Sequence, residues 1–319
     1  MRACLLALTI ALVPAVVSAQ PRTSWGDPDL QGIWSNATLT PLERPNEMKD
    51  KAFLSDADVA DIEKGGLGPL LKILAREVAL SGELSDTWLE PGTTVVRSKR
   101  SSMVVDPADG KVPYTPDGKK RNDAATAAMV FSRPSASWED RNLVERCIIY
   151  DGVVMPNPFY LNNHHFFQTK DYVAILSEVL HVYRIIPLDG RAHVGPQITQ
   201  WFGDSRGRWE GKTLVVETKN FNGKRGVRGA SGQLHLVEKF TRVDDGVIDY
   251  QATLTDPANY TKPWTFENTF RKTKGPLYEY ACHEGNYGMK NILSGARADE
   301  RARELKEKEK AALEVKEPK

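Results

Sequence analysis

Short apolar segments separated by turn residues dominate the chain from Cys147 onward. Asp189-Gly190 and the tetrapeptide from Trp209 to Lys212 are two of these turns. Many short strands at regular spacing predict a β-sandwich or a closed β-barrel. The predicted strands cover residues 166–169, 172–176, 179–186, 213–218, 234–243, 247–255, 264–270 and 277–282. The fold class is therefore mainly β.

The part of the chain before residue 91 has a different pattern. Ser55 and Asp58 can cover the first free N–H groups of a helix, which predicts a short helix to about residue 64. Pro69 suits the first turn of a second helix with a broad apolar stripe. Residues 20–90 are therefore an extended arm and two helices that pack on the barrel.

The barrel domain is assigned to residues 91–297. Near its start, Met103-Val104-Val105 reads as a short strand, and Asp109-Gly110 and Asp117-Gly118 read as turns. Residues 298–319 are mostly Glu, Lys, Arg and Ala, which predicts a charged, solvated helix as the tail.

The first nineteen residues resemble a secretory signal peptide. A basic Arg2 precedes an apolar run and the small residues that end at Ala19. A membrane anchor is the alternative, but the run is short for a span and Pro14 interrupts it. We therefore expect cleavage after Ala19, a periplasmic or secreted protein, and no transmembrane segment afterwards.

Composition narrows the classes of partner. Hydrophobic residues make up 40% of the chain, and 43 Lys and Arg residues nearly balance 42 Asp and Glu residues. The apolar fraction is sufficient for a globular core and excludes a wholly disordered chain. Near-zero net charge gives no electrostatic basis for binding nucleic acid or an anionic membrane.

Cysteine usage suggests a disulfide. Only Cys147 and Cys282 remain after removal of the signal peptide. Two cysteines in an oxidising compartment most simply form one disulfide bond. Two separate buried thiols, or a nucleophilic Cys282 beside His283, are the alternatives.

Charged residues on apolar strand faces are the first candidates for chemistry. In the predicted strand 179–186 and its approach, Glu178 and Arg184 share a face with leucine and valine residues. Glu238 lies in the same way in the strand 234–243, with His235 on the opposite face. A buried carboxylate can have its pKa raised into the range of a general acid or base. A structural ion pair is the alternative.

Histidines extend this candidate set, but their spacing is not that of a metal site. His193 follows a predicted turn, and His283 lies beside Cys282. Neighbouring His164 and His165 point to opposite sides of a strand, and the sequence has no His-Glu-x-x-His motif. We predict no metal ligands and no organic cofactor. The candidate acid–base residues are Glu178, Arg184, His193, His235, Glu238 and His283.

Aromatic residues crowd the C-terminal half of the chain. They can line a ligand cavity or fill the core of the sheet. The predicted ligand-binding residues are Trp201, Trp209, Tyr250, Trp264 and Tyr280.

Six longer motifs are distinctive, namely Arg100–Pro107, Arg184–His193, Gly203–Thr218, Thr255–Pro257, Pro263–Thr265 and Glu279–Asn286. These motifs resemble those of a large, mostly uncharacterised family of exported bacterial proteins. The resemblance covers roughly residues 30–297. It implies export from a bacterial cell and no particular reaction.

Gly32-Ile33-Trp34 is similar to the Gly-x-Trp in the first strand of lipocalin-like barrels, the calycin superfamily. In that family the Trp closes one end of the barrel, and the barrel interior can hold one small ligand. The resemblance therefore implies a lipocalin-like antiparallel β-barrel.

The sequence as a whole predicts an exported barrel that binds a small, largely apolar organic molecule in its interior. Cofactor-free acid–base catalysis, such as hydrolysis, elimination or isomerisation, can accompany that binding. The alternatives are a non-catalytic ligand-binding or envelope-associated protein and a His-based metal-dependent enzyme. The sequence specifies neither substrate nor oligomeric state.

Overall fold

The protein is a mainly β structure, a nearly closed antiparallel barrel of nine strands. The computed structural model describes residues 21–65, 92–127, 135–148, 162–224 and 227–316. Neighbouring strands follow the order β5-β4-β3-β1-β10-β9-β8-β7-β6, and β2 pairs with β10 outside this path. The strands are β1 Gly32–Ser35, β2 Val104–Asp106, β3 Asn163–Gln168, β4 Tyr172–Ser177, β5 Tyr183–Pro187, β6 Asp204–Glu210, β7 Thr213–Lys219, β8 His235–Arg242, β9 Val247–Thr255 and β10 Trp264–Lys272.

The number of strands determines how the barrel can close. Every ladder along the path is antiparallel, so the direction of the chain alternates eight times between β5 and β6. The two end strands therefore run parallel to each other. The described residues of β5 and β6 form no paired ladder, and we call this join the seam.

Side-chain contacts, and not main-chain pairing, join the described residues of β5 and β6 at the seam. The side chains of Ile186 and Leu188 pack against Gly207 of β6. A Cβ added at position 207 would lie only 2.6 Å from Leu188 Cδ2 and 2.8 Å from Ile186 Cγ2, so a larger residue does not fit there. Arg184 of β5 reaches across the interior to Glu238 of β8, with Nη2 2.6 Å from Oε2. The barrel is thus closed by packing and one buried ion pair.

Alternating burial along each strand produces a filled core. In β8 and β9, every second residue is buried. Aromatic rings from different strands meet edge to face or tilted, as in the contacts of Phe240 with Tyr250 and of Phe166 with Phe270. Rings that are at most 2% exposed are Trp34, Phe166, Phe240, Tyr250, Tyr260, Trp264, Phe266 and Phe270.

Trp34, the tryptophan of the Gly-x-Trp motif, lies beside the β8–β9 hairpin. Its ring is fully buried, and its Nε1 donates to Leu30 O at 2.9 Å. The guanidinium of Arg242 lies 5.2 Å from the ring centre and donates to Asp244 O and Asp245 O. The Gly-x-Trp motif therefore anchors a polar and aromatic cluster at this position.

The described residues include three α-helices. They are α1 Asp56–Gly65, α2 Pro116–Ala127 and α3 Tyr287–Lys316. α1 confirms the helix predicted from Ser55, whose backbone N–H donates to Asp58 Oδ2 at 2.7 Å. The second predicted helix, from Pro69, lies outside the described residues, as does the predicted signal peptide.

The prediction of a turn at Asp117-Gly118 is wrong, because these residues lie in the first turn of α2. Thr115 precedes the helix, and its Oγ1 accepts from Gly118 N at 2.9 Å. Pro116 then fits the first helical position. Gly118 is required by packing, since a Cβ there would lie 2.0 Å from Asn259 O.

Two strand predictions differ from the structure, and one strand was not predicted. The predicted strand 179–186 is interrupted, because Val179–His181 form a 3-10 turn and Leu180 has φ of 53°. The predicted strand 277–282 does not form. The unpredicted strand is β6, which presents charged residues outward and small residues inward. The sheet also begins at β1, N-terminal to the predicted domain boundary at residue 91.

The predicted disulfide is confirmed. Cys147 and Cys282 are bonded across 135 positions of sequence. Asn286, just before α3, also donates from Nδ2 to Glu145 O at 3.0 Å. Both contacts attach the C-terminal segment to residues 135–148. Within the described part of the chain, none of the helices has the length and apolar character needed to cross a bilayer.

Candidate functional site

A pocket opens beside the seam. Its cavity volume is about 530 Å³, within the roughly 300–1,000 Å³ common for small-molecule sites. One wall is the start of β5, with the exposed side chains of Tyr183 and Ile185. The other wall is the segment Thr199–Ser205, which contributes Trp201 and Phe202. The site is therefore beside the barrel wall and outside the aromatic core.

An ion pair buried in the barrel lies behind the pocket. Arg184 lines the pocket and contacts Glu238 through both terminal nitrogens, at 3.0 and 2.6 Å. Tyr250 donates its hydroxyl to the same carboxylate at 2.9 Å. Because the Glu238 carboxylate carries three such bonds and is fully buried, it acts here as the counter-ion of Arg184.

The pKa values of this cluster follow its burial and charges. Burial alone would lower the pKa of Arg184, but the charge and hydrogen bonds of Glu238 hold it above its ordinary value. Burial and the Glu238 charge raise the pKa of Tyr250 well above 10. The guanidinium stays charged and the phenol stays protonated throughout the physiological range.

Ser205 links this cluster to β7. Its Oγ lies 3.5 Å from Arg184 Nη2 and 2.9 Å from Thr218 Oγ1. Both hydroxyl side chains are buried. The seam strand β6 is thus connected to Arg184 and to β7 by polar contacts inside the barrel.

Glu178 lies apart from Arg184, and the prediction that the two share a strand face is wrong. Glu178 follows β4 and begins the 3-10 turn before β5. Its carboxylate accepts from Asn163 Nδ2 and from Tyr278 N, both at 2.8 Å. Glu178 therefore links the segment after β10 to the barrel, which is a structural role.

A second polar cluster covers the outer face of β6, β7 and β8. His193 Nδ1 lies 3.0 Å from Asp204 Oδ2, and its Nε2 lies 3.7 Å from Glu217 Oε2. His235 Nε2 lies 2.7 Å from Glu217 Oε1, which also contacts Lys219. Alternation along the strands places this cluster on the opposite side of the barrel wall from Glu238.

Hydrogen bonds determine the protonation of the two acids in this outer cluster. The bond from Lys219 and that from His235 lower the pKa of Glu217 to about 2, against the effect of burial. Burial alone would raise the pKa of Asp204, but Val194 N–H, Arg206 and His193 lower it. Both carboxylates are therefore ionised and compensated by neighbouring donors.

These donors do not form a metal centre in the present arrangement. Across the described ranges, no group of three or more His, Cys, Asp or Glu side chains is arranged to hold a metal ion. The Glu217 carboxylate lies between the two imidazoles, and Lys219 already contacts the oxygen that bonds to His235. The His-based metal enzyme therefore gains no support from this geometry.

The other predicted residues fall in different places. Trp201 lines the pocket. Tyr250 and Trp264 are buried in the core, and Trp209 packs against it. Tyr280 and the exposed His283 lie in the segment between β10 and α3. Of the predicted ligand-binding set, Trp201 alone lines this pocket.

Sequence reasoning missed most of the pocket. The predicted ligand-binding set does not include Tyr183, Ile185 or Ser205, and the sequence gives no sign that Asp204 is the partner of His193. The available signal is the long motif from residue 203 to residue 218, which begins at the pocket wall. Its pattern predicts a turn followed by a strand and does not indicate a position beside β5.

Comparison with known proteins adds little to this picture. The sequence matches no family model and no curated protein. Part of the chain is similar to an abundant heat-soluble (SAHS) protein from Ramazzottius varieornatus, at 10% identity and a TM-score of 0.24, covering 35% of this chain and 70% of that one. A variant of the fluorescent protein UnaG is similar at 15% identity and a TM-score of 0.23, covering 35% and 72%. At such TM-scores the fold assignment rests on the strand order itself.

Proposed function

We propose that this protein binds a small, uncharged and largely apolar organic molecule in the pocket beside the seam. The observation that carries the proposal is the pocket of about 530 Å³ between Tyr183–Ile185 and Thr199–Ser205. Its aromatic side chains offer flat apolar contacts. The charged groups around it are already paired, Arg184 with Glu238 and Asp204 with Arg206.

This site differs from the interior site expected from the barrel resemblance. The described interior positions are filled by aromatic rings that contact one another. Close packing of this kind leaves little room for a ligand without displacement of core side chains. The pocket beside the seam is already open, so binding there needs no such displacement.

The proposal is tested with isotope-labelled protein and a set of neutral aromatic fragments, including 3-methylindole. We expect amide shifts at Tyr183 and Ile185 and at the Trp201 indole on titration. Trp201→Ala should weaken binding about tenfold through loss of aromatic contact area. Trp138→Ala is the matched control, because Trp138 is 50% exposed and stacks with Arg146 away from the pocket. Fragments that shift no resonance at the seam would refute this function.

Acid–base catalysis is a second candidate, and one contact favours it. Asp204 lines the pocket and also orients the imidazole of His193 at 3.0 Å. A carboxylate that fixes a histidine in this way is a common arrangement for a general base. His193→Gln should then abolish turnover of a pocket ligand while leaving its affinity unchanged. Equal turnover by both proteins would remove His193 from the reaction.

Export belongs to the same proposal. The Cys147–Cys282 disulfide supports an oxidising compartment, where such bonds persist. Sequencing of the mature protein from its native host should find Gln20 at the N-terminus. Recovery of the chain with Met1 intact and both cysteines reduced would contradict export.

A further inference from the structure

Free main-chain groups of β5 face the seam beside the pocket. Ser177 N donates to Val182 O at 2.7 Å, and Leu188 N donates to Asp171 O at 2.8 Å, at the two ends of the β4–β5 ladder. Hydrogen-bonded and non-hydrogen-bonded pairs alternate in an antiparallel ladder. The β4–β5 register therefore directs the N–H and C=O groups of Tyr183 and Ile185 away from β4 and toward the seam.

The same reasoning applies to β6. Val243 N donates to Val247 O, so the odd-numbered residues of β8 form the hydrogen bonds with β9 and the even-numbered residues form those with β7. The β7–β8 register then leaves the odd-numbered residues of β7 to bond to β6. The β6–β7 register pairs those residues with the even-numbered residues of β6, such as Arg206. Ser205 and Gly207 consequently direct their main-chain groups into the seam, where the sheet order records no pairing with β5.

The pocket brings one of these free edges together with apolar side chains. Tyr183 and Ile185 line it from β5, while Trp201 and Phe202 line it from the opposite segment. The main-chain N–H and C=O groups of Tyr183 and Ile185 point toward β6, whose Asp204 and Ser205 also line the pocket. The charged groups of the wall are already compensated, so the edge favours an uncharged ligand with its own alternating donors and acceptors.

An extended peptide has this chemistry, because its main chain repeats a donor and an acceptor on the same side at every second residue. We propose that the ligand of the seam pocket is an uncharged, extended peptide segment whose main chain pairs with β5 at Tyr183 and Ile185. About three residues span this length of strand. An apolar side chain of the peptide contacts Trp201 and Phe202. This inference rests on the proposed binding function and specifies its ligand class.

The test uses the capped tripeptide Ac-Ala-Leu-Ala-NH2 and its N-methylated forms, titrated against the labelled full chain. N-methylation removes one donor at a time, and β-pairing predicts a loss of about tenfold in affinity at alternate residues only. Tyr183 and Ile185 amide resonances should shift downfield on binding. A uniform effect of N-methylation, or none, would overturn recognition through the strand edge.

Ile185→Pro provides the matching change in the protein. Proline removes the N–H that faces the seam, and an edge strand tolerates proline where the N–H is not in the ladder. We expect a loss of about tenfold in peptide affinity. Ile185→Ala keeps the N–H and loses only apolar contact, so its loss should be smaller, about threefold. Equal peptide affinity of the two variants would contradict the proposal. If Ile185→Pro fails to fold, titration of the N-methylated peptides against the unmodified protein still tests whether the peptide pairs with β5.

3-Methylindole separates the inference from the function on which it rests. If 3-methylindole shifts the seam resonances and the peptide does not, the pocket binds small molecules and the peptide proposal is wrong. If neither probe shifts those resonances, the proposed function fails as well. Shifts from 3-methylindole, together with peptide binding that shows alternating N-methyl sensitivity, support both.

Discussion

The Trp34 cluster and the seam show two ways of joining strands in the same barrel. Around Trp34, β1 pairs with both β3 and β10, and the fully buried ring packs beneath Arg242 and Lys272. At the seam, β5 and β6 lie side by side without a paired ladder. The first join combines main-chain hydrogen bonds with a filled core, and the second depends on side chains alone.

This difference follows from the odd number of strands. Nine strands joined by antiparallel ladders leave one parallel join, and parallel strands lack the short hairpin connection that fixes register in antiparallel pairs. The long connection between β5 and β6 instead contributes Thr199–Phe202 to the pocket wall. The place where the sheet leaves main-chain groups unpaired is therefore the place where the surface is concave.

The largest expected effect is on stability, and it should differ between Trp34 in the Trp34 cluster and Trp201 at the seam pocket. Trp34→Ala removes a fully buried ring together with its hydrogen bond to Leu30 O. We expect a loss of about 3–5 kcal/mol in the free energy of unfolding, measured in urea. Trp201→Ala, at the partly exposed pocket wall, should cost far less. Similar losses for the two variants would show that the seam is packed as tightly as the Trp34 cluster.

The second prediction concerns the buried ion pair between Arg184, at the seam, and Glu238. Glu238→Gln leaves the guanidinium of Arg184 buried without a counter-ion, and we expect a loss of about 3–5 kcal/mol in unfolding free energy. Replacing both partners, as Arg184→Met with Glu238→Leu, should recover most of that loss. Glu210→Gln, in the exposed pair with Arg208, is the control and should change stability little. A small loss for Glu238→Gln would mean that water reaches Arg184.

The Trp34 cluster was more predictable from sequence than the seam. Gly32-Ile33-Trp34 carries a local signal. Alternation along β8 and β9 separates the two faces of each strand but does not show from sequence which face is interior. Arg184 and Glu238 could each be selected as charges on apolar faces. Their pairing depends on β5 lying across the interior from β8, which a pattern within one strand cannot reveal.

Local sequence was also misleading near the seam. The apolar run through Leu180 hides the turn between β4 and β5, because positive φ at a leucine has no sequence signal. β6 was missed for the opposite reason. Its outward Arg206 and Arg208 and its inward Ser205 and Gly207 lack the apolar alternation that normally marks a strand.

A third prediction measures how tightly the seam is packed. Gly207→Ala places a methyl group against Leu188 and Ile186, at 2.6 and 2.8 Å before relaxation. We expect a loss of about 1–3 kcal/mol in unfolding free energy. Gly295→Ala, in α3 with open space around it, is the control and should leave stability equal or slightly higher. An unchanged stability of Gly207→Ala would show that β5 and β6 separate at little cost.

The last expected effect is a dependence on pH at His164, which connects the two regions. His164 pairs in register with Trp34, and its Nδ1 lies 2.9 Å from Ser177 Oγ. Burial, and secondarily the charge of Arg184, lower its pKa from 6.5 to about 3. The unfolded chain therefore binds a proton at this residue between these two pKa values, and the folded chain does not.

Stability should accordingly fall as the pH decreases below about 6.5, by at most about 1.4 kcal/mol per pH unit from this residue. Urea unfolding between pH 6.5 and pH 4.5 measures the slope above the range in which most carboxylates titrate. His164→Gln should reduce the slope, while His165→Gln, on the outer face, should reduce it less because burial lowers the pKa of His165 to a smaller extent. Equal slopes for His164→Gln and the unmodified protein would mean that His164 is protonated in the folded barrel. The interior between Trp34 and Arg184 would then have to admit water or a counter-ion.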